Sequence, residues 1–194
     1  MPAHNYFARI STLLAGFEKV GIVLTPSDHQ THLYIWQVDG CAVYIGKKSD
    51  KANRAAQEKS WVSAPSVLDN YEVPFVRTMR RLKAEPVEFR IESIDLELLK
   101  NKLKEHEVSG FKHGFAELEN KKTLSNADIE AALIRATVQA GYVLANSTAA
   151  GQWDGALKLP HLIGSLAAWA IQEHDDNLFV GLIPASDNET SDVI

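Results

Sequence analysis

The chain has 194 residues, 45% of them apolar and 23% charged, with a formal net charge of −5. That length and balance describe an ordinary globular chain with one substantial core, and no apolar run reaches the length that spans a bilayer. A single cysteine, Cys41, excludes an internal disulfide. The opening Met1-Pro2-Ala3-His4-Asn5-Tyr6 lacks the basic and apolar blocks of a secretory signal, so a reducing, cytoplasmic setting is expected. The acidity is unevenly spread. After Lys158 there is no lysine or arginine, but Glu173, Asp175, Asp176, Asp187, Glu189 and Asp192 follow, and setting those six aside leaves +1 for the rest. A local basic face is therefore compatible with the negative total.

Along the chain, Phe7, Ile10, Leu13, Leu14, Phe17 and Val20 recur at helical spacing, predicting an amphipathic helix over residues 2–20 that stops at Gly21. Thr25-Pro26-Ser27-Asp28 reads as a loop. Two short apolar stretches, at about 31–38 and 42–46, read as strands. They flank Asp39-Gly40, a dipeptide suited to a tight hairpin turn because both residues tolerate positive φ. A helix from about 50 to 61 follows, capped by Ser49-Asp50, with Arg54 in its first turns. After the loop Ser63-Ala64-Pro65-Ser66, a second helix covers 72–83, with Pro74 near its first turn. Pro86-Val87-Glu88-Phe89-Arg90-Ile91-Glu92 alternates apolar and charged residues, the pattern of a half-buried strand. Residues 95–106 and 126–146 read as helices, the latter opened by Ser125-Asn126. A helix at 160–172 and an extended segment at 178–183 close the ordered part.

The expected fold class is α/β (α+β): a small three-stranded mixed or antiparallel sheet flanked by helices. A helical extension covers 1–30, the main domain 31–146 with an insertion at about 62–85, and a C-terminal extension with an acidic tail 147–194.

The residues that carry chemistry begin in the hairpin. Tyr34, in His32-Leu33-Tyr34-Ile35-Trp36, and Tyr44, in Ala42-Val43-Tyr44-Ile45-Gly46, become neighbouring phenols once the strands pair. Lys47 follows at once, and Arg54 comes eight residues after Gly46. Further on, Glu130 lies in Asp128-Ile129-Glu130-Ala131-Ala132-Leu133-Ile134, and Asn146 ends Tyr142-Val143-Leu144-Ala145-Asn146. In this order and spacing the set resembles the GIY-YIG nuclease superfamily over about 32–146. The second motif, Tyr44-Ile45-Gly46-Lys47 with Arg54, is its specific part. The first keeps only the tyrosine and an apolar middle residue of Gly-Ile-Tyr. One position departs: Glu58 stands where the family often carries a tyrosine or histidine, one helical turn after the arginine.

The resemblance implies a divalent-metal-dependent endonuclease hydrolysing DNA phosphodiester bonds, of the kind used in restriction, phage or mobile-element roles. Glu130 would be the single carboxylate for Mg²⁺ (or Mn²⁺), which keeps most of its waters and accepts substrate oxygens. Arg54 would hold phosphate oxygens through its fork of donors, and Lys47 would add a point charge. Tyr44, or Tyr34, would help activate the attacking water. A phenol with pKa about 10 needs nearby cations for that task. Asn146 would be a structural or phosphate-orienting amide.

Arg77, Arg80, Arg81 and Lys83 form a basic cluster that reads either as a DNA-backbone contact or as a solvated helix face. Two further readings stay open. One is a weakly active or inactive DNA-binding or interaction module, favoured by Glu58 and the altered first motif. The other is a nuclease acting on RNA or structured DNA. A homodimer is the arrangement that double-strand cleavage would imply.

Overall fold

The computed structural model describes residues 7–48, 54–64, 74–105, 117–146 and 158–175. In chain order these form α1 (Ile10–Lys19), β1 (Ile22–Pro26), β2 (Leu33–Val38), β3 (Cys41–Lys47), α2 (Arg54–Ser63), α3 (Pro74–Leu82), β4 (Glu85–Ile94), α4 (Leu96–Glu105), α5 (Asn126–Gln139) and α6 (Lys158–Asp175). The strands make one antiparallel sheet in the order β1-β4-β2-β3. The β2–β3 turn is the one the dipeptide predicts: Asp39 at φ 51° and Gly40 at φ 77° connect Val38 to its partner Cys41.

Strand alternation gives the sheet two faces. On one, Leu33, Ile35, Ile45 and Phe89 join the main core with Leu13 and Phe17 of α1, Leu99 and Leu103 of α4, Ile129 and Leu133 of α5, and Leu162 and Ile163 of α6. On the other, Tyr34, Trp36 and Val43 pack with Ala55 of α2 and Met79 of α3. Leu162, Ile163, Leu166 and Ala170 of α6 are all buried, so this helix is core, and among its described residues Trp169 is the one exposed large apolar side chain. No helix among the described residues is long and apolar enough to cross a membrane.

Three expectations are corrected. The helix expected over 2–20 begins at Ile10, because Arg9 is extended and bridges Cys41 while Ala8 O accepts from Ala42 N–H, so this stretch pairs with the edge of β3 instead of coiling. The sheet has four strands, not three. Ile22-Val23-Leu24 is too short a run to stand out beside Pro26, but β4 extends to Ile94 and offers a free edge. Pairing of Ile22 with Ile94 and Leu24 with Ile91 turns the expected loop start into β1. The helix expected over 126–146 ends at Gln139. Gly141 adopts φ 96°, its N–H reaches Val138 O at 3.1 Å, and Tyr142 N–H reaches Thr137 O at 3.1 Å. This is a Schellman stop, which a residue without Cβ makes at least cost. Residues 142–146 then run back past β3. The cap Ser49-Asp50 and the extended segment 178–183 lie outside the described residues.

The edges of the sheet are managed separately. β3 is an edge strand, and its free side is covered at two points. Near the hairpin turn, Ala42 N–H bonds Ala8 O at 2.8 Å and Ile10 N–H bonds Gly40 O at 2.9 Å. One residue further along β3, Ala145 N–H bonds Val43 O at 2.7 Å. This edge is thus partly sealed by main chain rather than left open for pairing.

Candidate active site

The register of the hairpin decides which side chains share a face. Tyr34 lies opposite Gly46 and Trp36 opposite Tyr44, while Gln37 pairs with Ala42. Val43 is therefore an extra residue, a β-bulge, and it aims Tyr44 to the same face as Tyr34 and Trp36. The two phenol rings have centroids 6.4 Å apart, inclined at 31°. Phe75 at the start of α3 packs edge-on against Tyr44, ring centroids 4.7 Å apart, and against Trp36, 5.6 Å apart. The Tyr34 ring lies directly over Gly46, where a Cβ would overlap its Cζ and hydroxyl. That close approach is a physical reason for glycine after Tyr44-Ile45.

Glu58, on the inward face of α2 with Ala55, reaches down to this layer. Its Oε1 accepts from the Tyr34 hydroxyl at 3.0 Å and its Oε2 from Trp36 Nε1 at 3.3 Å. Glu58 is 2% exposed and Tyr34 1%. A carboxylate this deep is tolerable only because it is hydrogen-bonded. The Tyr34 hydroxyl thus donates to Glu58, and its ring is buried. Tyr44, half-buried, is the phenol nearer the surface. Sequence reading singled out Glu58 as a departure but missed Trp36 as its partner. The signal was present: Trp36 is two residues from Tyr34, hence on the same side of β2.

Lys47 and Glu130 come together from distant parts of the chain, Nζ to Oε2 at 3.7 Å, with side chains 42% and 21% exposed. Alternation directs Lys47 to the face opposite Tyr44, and Glu130 arrives there from just past the first turn of α5. That turn is anchored by a capping box: Ser125 Oγ accepts from Asp128 N–H at 3.2 Å, and Asp128 accepts from Ser125 N–H at 2.9 Å. Burial works against the charge on Asp128, but hydrogen bonds from Ser125 and from Lys121, 2.9 Å away, outweigh it and hold this carboxyl below its ordinary range. Asp128 is thus occupied in building the helix start.

Asn146 has a definite role. Its Oδ1 accepts from Ile45 N–H at 3.0 Å, and its Nδ2 donates to Ile45 O at 2.6 Å. The side-chain amide continues the ladder where the neighbouring main chain ends. Asn146→Ala would leave both Ile45 groups without these partners, and is expected to cost about 2 kcal/mol of stability in urea unfolding. A loss below roughly 0.5 kcal/mol, the range of neutral surface changes, would rule out this sealing role.

The predicted residues therefore gather as Tyr34 with Tyr44 on one face, Lys47 with Glu130 on the other, and Asn146 along the edge between them. Arg54 is the first residue of α2, and its side chain lies outside the described part. The basic cluster divides. Arg77, Arg81 and Lys83 are exposed. Arg80 instead turns to α2, donating Nε to Val62 O at 2.5 Å and Nη2 to Trp61 O at 3.0 Å and to Ala64 O. It satisfies carbonyls that a helix end leaves orphaned. Lys83, at φ 53°, ends α3 in the same kind of stop that Gly141 makes for α5, with Ala84 N–H on Met79 O at 2.9 Å.

Two reactive-looking residues prove structural. Cys41 is fully buried, and burial pushes its thiol up against a lowering influence from Arg9, away from nucleophilic character. His32 Nδ1 accepts from Ile91 N–H at 2.8 Å. His113 lies outside the described residues.

No group of three or more His, Cys, Asp or Glu that could hold a metal ion occurs among the described residues. Glu130 alone is a donor set too small for a tightly held cation. It fits a hard ion that retains its waters and takes further oxygens from a substrate, with Lys47 as the counter-charge beforehand. Comparison with protein-family models, with curated proteins and with solved structures finds no match.

Proposed function

We propose that this chain is a divalent-metal-dependent endonuclease hydrolysing DNA phosphodiester bonds, in the cytoplasm, in a restriction, phage or mobile-element setting. The observation that carries the proposal is the Lys47–Glu130 pair: two residues distant in sequence, each chosen from its motif, meet 3.7 Å apart at the end of β3. The scissile phosphate would sit at that end, where the chain leaves Gly46-Lys47 for α2. Lys47 offsets charge on the phosphate oxygens, and its long stem can swing from Glu130 to the substrate. Tyr44 lies on the opposite face of the sheet from this pair, and its part in activating the water rests on the resemblance alone. Tyr34, with its proton on Glu58, holds the hairpin rather than touching substrate. By resemblance Arg54 adds a guanidinium fork. When bound at Glu130, Mg²⁺ or Mn²⁺ would supply Lewis acidity to the phosphate and leaving oxygen.

Supercoiled plasmid incubated with the native chain and Mg²⁺ or Mn²⁺ tests this directly. Nicking or linearisation is expected, slowed about a hundredfold in Tyr44→Phe, the typical scale for losing a proton-transfer group. An unchanged rate in that variant would remove Tyr44 from the reaction.

A second reading is favoured by one observation, the burial of Glu58 against Tyr34 and Trp36. It puts a carboxylate, already hydrogen-bonded, where the resembled family carries a tyrosine or histidine. A binding module on the same scaffold would show this. It predicts DNA binding by the native, folded chain without cleavage of plasmid, structured DNA or RNA.

A further inference from the structure

Lys47 and Glu130 meet on backbones that are each held in place. Lys47 is the last residue of β3, opposite Leu33 of β2, and the next main-chain N–H, that of Lys48, bonds His32 O at 3.0 Å. Two residues earlier, Ile45 is tied to the Asn146 amide through both its N–H and its C=O. Glu130 stands just past a helix start closed by the Ser125–Asp128 capping box. The most mobile part of the pair is therefore the lysine stem, a flexible four-carbon chain that ends in a point charge.

The contact between the two charges is loose. At 3.7 Å, Lys47 Nζ to Glu130 Oε2 is longer than a charge-assisted hydrogen bond of roughly 2.8 Å. The Lys47 side chain is 42% exposed and that of Glu130 21%. Water and salt weaken such an attraction, and a pair of this kind contributes little to folding. It nevertheless sets an ammonium against one oxygen of the carboxylate to which the proposed function gives a divalent cation. Two cations drawn to one carboxylate repel each other, and the doubly charged one is attracted about twice as strongly at a given distance.

We infer that Lys47 is a built-in competitor for the cation site: its ammonium and a divalent ion exclude each other at Glu130, so that loading of the ion is the event that releases Lys47 to an anionic substrate. The inference rests on the proposed cation role of Glu130 and adds an order of events to it. Without the ion, the end of β3 presents a neutralised pair with little attraction for phosphate. With Glu130 engaged by the ion, the Lys47 stem swings away, and its positive charge becomes available at that same end. The coupling is reciprocal: the factor that Lys47 takes from ion affinity is the factor that the ion takes from the Lys47–Glu130 contact. A pair this exposed limits that factor to about fivefold. No backbone rearrangement is required, since the strand end and the helix start stay where they are.

The test is binding of Mn²⁺ to the full-length chain without nucleic acid, followed by loss of the free-ion signal in electron paramagnetic resonance. Lys47→Met is expected to tighten binding about fivefold, the whole of the lysine's competition. Lys47→Arg, which keeps the charge, should hold affinity near the native value, and Glu130→Ala should weaken binding with either residue at position 47. Lys48→Met removes the same charge from the neighbouring residue and should change affinity by less than about twofold, because an exposed charge away from the carboxylate is screened. All variants should keep the native thermal midpoint. Equal affinity in the native chain and Lys47→Met would overturn the competition while leaving Glu130 as a ligand and the proposed function intact. Equal tightening by Lys48→Met would reduce the effect to net charge and overturn it as well. Tightening that persists in Lys47→Met/Glu130→Ala would put the ion elsewhere and sink both readings. Binding by neither the native chain nor Lys47→Met would remove the cation site on which both rest.

Discussion

Glu130→Ala is expected to lower metal-dependent plasmid cleavage by at least about a thousandfold. Lewis-acid assistance is worth several kcal/mol of transition-state stabilisation, and each 1.36 kcal/mol is a factor of ten in rate. The side chain is only partly buried and belongs to a helix start already secured by Ser125 and Asp128. The folded state should therefore survive the change, with a stability difference within about 0.5 kcal/mol. A readout apart from turnover strengthens the case: Mn²⁺ binding, followed by electron paramagnetic resonance, should weaken in Glu130→Ala. Cleavage that survives the substitution would mean the cation is held elsewhere.

The largest expected effect on stability lies at Glu58. Glu58→Ala strands the Tyr34 hydroxyl and Trp36 Nε1–H in a layer closed to water, at about 2 kcal/mol for each buried donor left without its acceptor, hence about 4 kcal/mol in urea unfolding. Glu58→Gln keeps the volume and one acceptor oxygen, so it should recover roughly half of this. Trp36 emission would report the change locally. A cost under about 1 kcal/mol for Glu58→Ala would show that the carboxylate is not holding these donors. The result bears on function as well as folding. A severe loss in Glu58→Ala with cleavage retained in Glu58→Gln identifies an anchor for α2, the helix that begins with Arg54, rather than a proton carrier.

Much of the site was legible because its signals are local. Asp39-Gly40 dictates a two-residue turn, and the turn brings the strands of Tyr34 and Tyr44 together; regular pairing from that turn would set the two phenols on opposite faces, and the bulge at Val43 puts them on one. The bulge at Val43 was not legible, since nothing in Ala42-Val43-Tyr44 marks which residue goes unpaired. Arg80 looked like its neighbours Arg77 and Arg81 because composition does not distinguish a cation facing water from one facing the carbonyls of another helix. Helical phase relative to Met79 separates them, but only once α2 is known to lie on that flank. The helix expected over 126–146 outruns the observed α5 for a local reason. Gly141 was visible, yet Tyr142-Val143-Leu144 kept the apolar pattern running past it.

The sequence by itself determined the hairpin turn, the starts of α4 and α5 and the inventory of groups available for phosphate chemistry, since each follows from short-range sterics and periodicity. Tertiary structure decided the rest. β1 is a strand because β4 is long enough to pair with it. Asn146 is a seal because the end of β3 leaves Ile45 with a donor and an acceptor to satisfy. Glu58 is a buried acceptor because Tyr34 and Trp36 stand beneath it. In each case the deciding partner is remote in the chain, and the need to satisfy a buried polar group, rather than local propensity, selects the outcome.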